Sequence, residues 1–256
     1  MLVLLALAGL WTLTSPGMWL AEMPVSPEGS LVPVRAIVVR LDPSKLRFSL
    51  DRSSREFGLV PAWTVDLIPP SAVLALNAGQ FGGGAPWGWL VRDGMEVQPP
   101  GVGTLGMAFV VDKAGAVSLV TPDEVPGARR EAAQAFQSYP ALLTGEGLLP
   151  WELQAPGRGV DLSHRDSRLA LCIMGDGSIV VALTRVDVIG RGGETIPWGP
   201  TVPEMAAFMK SLGCLRAMML DGGLSSQLAV RGTNGLLSWK NWRPVPLGLI
   251  AFPVDR

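Results

Sequence analysis

A single histidine, His164, and two cysteines, Cys172 and Cys214, are all the imidazole and thiol metal ligands this chain of 256 residues contains. So thin a supply, without paired spacing, cannot build a His/Cys zinc site. No metal and no other cofactor is expected. Basic residues lack a pattern too: 21 Lys and Arg stand against 22 Asp and Glu, the net charge is −1, and no cationic block occurs. That excludes a nucleic-acid footprint. Charged residues make up 17% and hydrophobic ones 48%, which excludes a disordered, solvating polypeptide. No repeat of fixed period is present. The 31 glycines and 22 prolines therefore read as tight connections between short strands, not as collagen or low complexity.

No charged side chain precedes Glu22, and Leu2 to Leu20 are mostly apolar. A run of this length suits a secretory signal or an uncleaved membrane anchor, and an exported protein. No Lys or Arg precedes it, no Ala-x-Ala cleavage site follows it, and Pro16-Gly17 interrupts it as a helix. An apolar first strand or helix of the fold is the alternative. The division expected is a leader or anchor plus linker over residues 1–29, then one domain over 30–256. Cys172 falls in a strand-like run and Cys214 just after an expected helix. They form a disulfide if the chain is exported, or stay as two buried thiols.

Leu31 to Leu41 reads as a strand, with Arg47 to Leu50 alternating as its partner. Pro61 to Ile68 reads as a short helical turn, and Ala72 to Leu76 as a buried strand. Asp93-Gly94 makes a hairpin turn. Gly101-Val102-Gly103-Thr104-Leu105-Gly106 matches the dinucleotide pattern but lacks a strand before it and a helix after it, so it is rejected. Ala128 to Gln137 carries helix-favouring residues, with Ala132, Ala135 and Phe136 on one face. Leu169 to Met174 and Ile179 to Thr184 form a hairpin around Gly175-Asp176-Gly177-Ser178. Thr201-Val202-Pro203-Glu204 is a capping box for a helix that stops at Gly213. Leu215 to Leu220, Gln227 to Arg231 and Pro246 to Phe252 are the last strands. The fold class is α+β: one domain with a mixed, largely hairpin-connected sheet and a few flanking helices.

One stretch organises the rest. Ala217 to Leu220 is an apolar run that stops at Asp221-Gly222-Gly223-Leu224-Ser225-Ser226. A carboxylate at the tip of a core strand is rigidly held, and glycines let backbone N–H groups turn toward an anion. The plain alternative is a hairpin turn. Asn77, at the end of the Ala72 to Leu76 strand with glycines beyond it, repeats the design; an Asx-turn is its plain alternative. Arg168, immediately before a buried strand, is an anion clamp or a structural ion pair.

Five segments in this order resemble the phosphodiester glycosidase family over most of Val73 to Phe252. They are Asn77-Ala78-Gly79-Gln80-Phe81, Trp87 to Gly94, Gln137-Ser138-Tyr139-Pro140-Ala141-Leu142-Leu143, Arg168 to Ile173, and Asp221 to Ser226. Tyr139 and Cys172 stand where the family has glycine. The resemblance implies hydrolysis of an α-glycosyl phosphodiester in envelope or exported-polysaccharide metabolism. It implies Asp221, Asn77 and Arg168 as catalytic residues: Asp221 activating water or steadying the sugar carbon, Arg168 holding phosphate, Asn77 orienting the substrate. Gly79, Gly222, Gly223, Ser225 and Ser226 form the implied substrate-binding set. Asp93 and Asp166 read as turn residues, so no second carboxylate has a role. A non-catalytic polysaccharide-binding envelope protein is the competing reading, since nine Trp against one Tyr offer indole faces to sugars.

Overall fold

The computed structural model describes residues 11–25, 31–52, 63–82, 85–101, 105–187 and 195–254. The apolar run through Leu10, residues 26–29 of the expected linker, Pro61-Ala62, Gly83-Gly84 and Val102-Gly103-Thr104 lie outside the described residues.

Short apolar runs bounded by Gly, Pro and Asp become strands. In chain order these are β1 (Thr12–Ser15), β2 (Met18–Val25), β3 (Val34–Leu41), β4 (Leu46–Arg52), β5 (Leu74–Asn77), β6 (Phe81–Gly82), β7 (Ala85–Pro86), β8 (Leu90–Arg92), β9 (Met95–Gln98), β10 (Met107–Asp112), β11 (Val117–Val120), β12 (Ala132–Ser138), β13 (Ala141–Leu143), β14 (Leu169–Met174), β15 (Ile179–Val186), β16 (Cys214–Leu220), β17 (Leu228–Gly232), β18 (Gly235–Trp239) and β19 (Leu247–Pro253). The helices are α1 (Val125–Ala128) and α2 (Val202–Ser211).

Three larger sheets result: β1-β2-β3-β15-β14-β16-β13, β11-β10-β12-β8-β9, and β18-β17-β5-β19-β4. One core joins them, with Ile37, Leu171 and Met218 from the first, Phe109 and Phe136 from the second, and Leu76 and Leu249 from the third. The other face of the seven-stranded sheet is covered by α2 through Met205, Ala206 and Met209. Strands β14 and β15 are therefore buried on both sides, which is why they read as continuous apolar runs. Thr201 starts α2 with the capping box read from the sequence, and Gly213 follows its end at φ +89°.

Several expectations change. Strand makes up 48% of the structure and helix, short 3-10 turns included, 14%, so the class leans β-rich; every pairing among the described residues is antiparallel where a mixed sheet was expected. Of the helix expected over Ala128 to Gln137 only Ala128 is helical, as the last residue of α1, and most of the segment is the central strand β12. Its Ala, Gln and Phe side chains are buried between β10 and β8, and that pairing overrides helix propensity. β4 pairs with β19 in another sheet instead of with β3. The residues expected to be leader and linker include β1 and β2. β2 pairs with β3 over its whole length, and Met18 and Met23 are core residues. Strand pairing thus begins well ahead of residue 30. Cys172 and Cys214 form a disulfide between β14 and the start of β16.

Candidate active site

Asp221 follows β16, and the turn after it is not a hairpin. β16 lies in the seven-stranded sheet and β17 in the sheet with β5, so Asp221 to Gln227 carries the chain from one sheet to the next. The two glycines are required by close packing against the Asp166-Ser167 segment. A Cβ on Gly222 would lie 2.5 Å from the Ser167 carbonyl oxygen. Gly223 has φ +55°, and a Cβ there would lie 2.5 Å from Asp166 Oδ2.

The tip of β5 locks this crossover. The Asp221 N–H donates to the Gly79 carbonyl at 2.9 Å. Asn77 Nδ2 donates to the Asp221 carbonyl at 2.9 Å, and Asn77 Oδ1 accepts from the Gln227 N–H at 2.8 Å. Asn77 is fully buried and both ends of its amide are used. Asn77 and Gly79 thus stand behind the site and hold Asp221 in place; neither lies on the cleft wall.

Asp221 and Gly222 open into a cleft of about 350 Å³, whose walls include Gln80, Tyr139, His164, Asp166 and Arg168, with Trp87 at its side. The half-buried Asp221 carboxyl is pushed up to about 6, first by burial and further by the negative charge of Asp166. A hydrogen bond from Ser225, the Arg243 cation and the Gly222 N–H oppose that rise. Burial also pushes Asp166 above the ordinary carboxylate range, against the pull of Arg168. His164 Nε2 lies 3.6 Å from Asp166 Oδ2. The turn residue of the sequence reading is therefore a second carboxylate of the same cleft.

Arg168 is 8% exposed and fixed by backbone. Its Nε donates to the Pro200 carbonyl at 2.9 Å and its Nη2 to that of His164, while its own N–H reaches Thr184 Oγ1 at 2.7 Å. Among the described residues it makes no carboxylate ion pair, so the structural ion pair is not what holds it. Its charge is oriented toward the cleft with no internal counterion in contact.

Other expected substrate contacts turn inward. The Gly223 N–H donates to the Ser167 carbonyl at 2.9 Å, the Ser225 N–H to Gly222 at 3.1 Å, and the Ser226 N–H to Gly223 at 3.3 Å. Ser226 is fully buried; its hydroxyl accepts from Arg185 Nη1 at 2.9 Å and donates to the Gly223 carbonyl at 2.8 Å. These three backbone donors are used in folding the loop. Ser225 acts on Asp221 itself. Among the described residues, no group of three or more His, Cys, Asp or Glu side chains is placed to hold a metal ion.

The phosphodiester glycosidase family model matches residues 70–252. The chain belongs to that family. Its fold is similar to the zebrafish N-acetylglucosamine-1-phosphodiester alpha-N-acetylglucosaminidase catalytic domain auto-inhibited by pro-peptide: TM-score 0.70, 17% identity, 94% of this chain and 85% of that one. A hypothetical protein from Synechocystis matches with TM-score 0.59 and 15% identity, over 94% of this chain and 63% of that one. A putative exported protein from Burkholderia pseudomallei gives 0.55 and 16%, over 90% and 76%. At these identities the structures share a fold. A comparison with curated protein sequences found no match.

Outside the five segments, three side chains of the site received no role from the sequence: Asp166, His164 and Arg243. Asp166 sits two residues before Arg168, and His164 two before that, so proximity to a matched segment was a usable signal. Arg243 had none. It reaches the site because its N–H donates to the Leu224 carbonyl at 3.0 Å and its own carbonyl accepts from Gln227 Nε2 at 3.2 Å.

Proposed function

We propose that this protein is a hydrolase that cleaves an α-glycosyl phosphodiester between the sugar C1 and the phosphate-bridging oxygen. The observation that carries the reading is the meeting of two carboxyls raised by burial, Asp221 and Asp166, with the buried cation Arg168 in one cleft. Pairs of carboxyls flanking a bond are the usual apparatus of glycoside hydrolysis.

Arg168 binds a phosphate oxygen, and Arg243 adds a second positive charge at the cleft. Asp221, titrating close to neutral pH, accepts the proton of a water that attacks C1. The C1–O bond breaks and its electron pair departs with the phosphate monoester, which leaves without a proton from the enzyme. Asp166 lends negative charge to the oxocarbenium-like carbon, and His164 orients Asp166. Membership in the family supports the reaction class, and the N-acetylglucosamine named for the zebrafish protein is the sugar to try first. The Cys172–Cys214 disulfide supports an exported protein acting on envelope or extracellular saccharide.

The test is hydrolysis of the methyl diester of α-N-acetylglucosamine-1-phosphate in water carrying heavy oxygen. The expected products are methyl phosphate and sugar with the label at C1, with loss of roughly 1,000-fold or more in kcat for Asp221→Asn. Label in the phosphate, or full turnover by Asp221→Asn, overturns the assignment. Saturable binding without turnover favours the polysaccharide-binding reading instead.

A further inference from the structure

A second cavity, larger than the Asp221 cleft, lies elsewhere on the described residues. It measures about 650 Å³ and lies against Trp11, Trp19, Arg40, Asp42 and Asp176. That volume falls within the range of small-molecule sites, ~300–1,000 Å³. Its floor is built on strands. Trp19 of β2 is directly opposite Arg40 of β3, and Arg40 opposite Val180 of β15. Thr12 pairs with Leu20, so Trp11 adjoins the same face as Trp19. The β14–β15 turn supplies the far wall.

The polar groups are fixed and mutually neutralised. Arg40 Nη2 donates to Asp176 Oδ2 and, at 3.2 Å, to the Ser178 hydroxyl; Arg40 Nε is 3.3 Å from that hydroxyl. Asp42 accepts from the Ser44 N–H at 3.0 Å and from its hydroxyl at 2.6 Å, with Lys45 Nζ 3.6 Å away. Two cations and two anions therefore cancel. Each carboxylate of the lining is already paired with a cation, Asp176 with Arg40 and Asp42 with Lys45 from outside the lining. Two half-buried indoles offer flat apolar faces, and the guanidinium–carboxylate pair offers in-plane donors and acceptors matched to neighbouring hydroxyls.

We propose that the Trp11–Trp19–Arg40 cavity is a second binding site, for a neutral saccharide. Arg168 precedes β14 and Asp176 follows it, so roughly 25 Å of extended strand separates this cavity from the Asp221 cleft. The two sites cannot hold the same sugar ring. They can hold distant parts of one chain, with this cavity retaining a polymer whose phosphodiester lies elsewhere. The binding itself does not depend on what the Asp221 cleft catalyses.

Calorimetric titration with maltotriose, cellotriose and chitotriose tests this on the full chain. At least one trisaccharide should bind saturably with a Kd of about 1 mM or tighter. Trp19→Ala and Arg40→Gln should each weaken binding about tenfold or more, a change of about 1.4 kcal/mol. Asp221→Asn should leave it unchanged, and Trp19→Ala should leave hydrolysis of the small methyl diester unchanged. If Trp19→Ala melts early, Arg40→Gln and Asp176→Asn carry the comparison. The proposal is overturned if none of the three binds, or if binding is lost in Asp221→Asn and kept in Arg40→Gln. Neither result bears on whether the methyl diester is hydrolysed.

Discussion

Asp221→Asn should make the protein more stable while it removes turnover. The carboxyl ionises near 3.8 in an unfolded chain and at about 6 in the folded protein, because burial penalises its charge. Well below 3.8 it is protonated in both states and its burial costs little. As the pH rises from 3.8 through 6 the unfolded chain releases the proton first, so the native state loses stability, and the loss levels off above 6. At 1.36 kcal/mol per pH unit, the interval corresponds to about 3 kcal/mol. Asparagine keeps the shape and an acceptor for Ser225 without the charge. Carboxyls away from the cleft titrate alike in both proteins and cancel; Glu124, pulled to about 2 by Arg216, is one. Urea unfolding should therefore show Asp221→Asn ahead by up to about 3 kcal/mol at pH 8 and nearly level at about pH 3.5. In thermal melts the gain at pH 8 should be roughly 6–12 °C. A difference that does not change with pH, or a less stable variant at pH 8, would refute the desolvation argument.

Arg243→Ala removes a cation that holds the Asp221 carboxyl down, so the acidic limb of the kcat/KM profile should move to higher pH; an unmoved limb contradicts the coupling. Asn77→Ala should cost about 2–4 kcal/mol in urea unfolding, because it removes a bond to Asp221 and strands the buried Gln227 N–H; a cost below about 1 kcal/mol would mean the loop is held by other contacts. Cys172→Ala with Cys214→Ala opens a loop spanning 42 residues and should lower stability by about 4 kcal/mol under oxidising conditions, with little further effect of reductant. Equal stability of the two proteins without reductant would show the bridge to be absent in solution.

The crossover and the cleft were partly legible in the sequence. A carboxylate ending an apolar run, followed by two glycines, marked Asp221 correctly as the end of a strand. The capping box at Thr201 and the hairpin around Asp176 are local events, decided by residues within a few positions of each other, and the structure reproduces them. Helix and strand went wrong at β12 because both its faces are buried, which erases the alternation that identifies a strand at a surface. Asn77 was legible as special but not in its role. Its amide looks like a ligand-binding group until the Asp221 carbonyl and the Gln227 N–H, both more than a hundred residues away, are seen to occupy it.

The order of residues by itself determined many of the runs that become strands, β12 excepted, the start and stop of α2, and the family. It could not determine partners. That β16 and β17 enter different sheets, that Asp166 shares a cleft with Asp221, and that Arg243 approaches Asp221 follow from contacts between segments far apart in the chain. The same holds for the charge state of Asp221, which depends on how much water the assembled sheets exclude and on which charges they bring beside it.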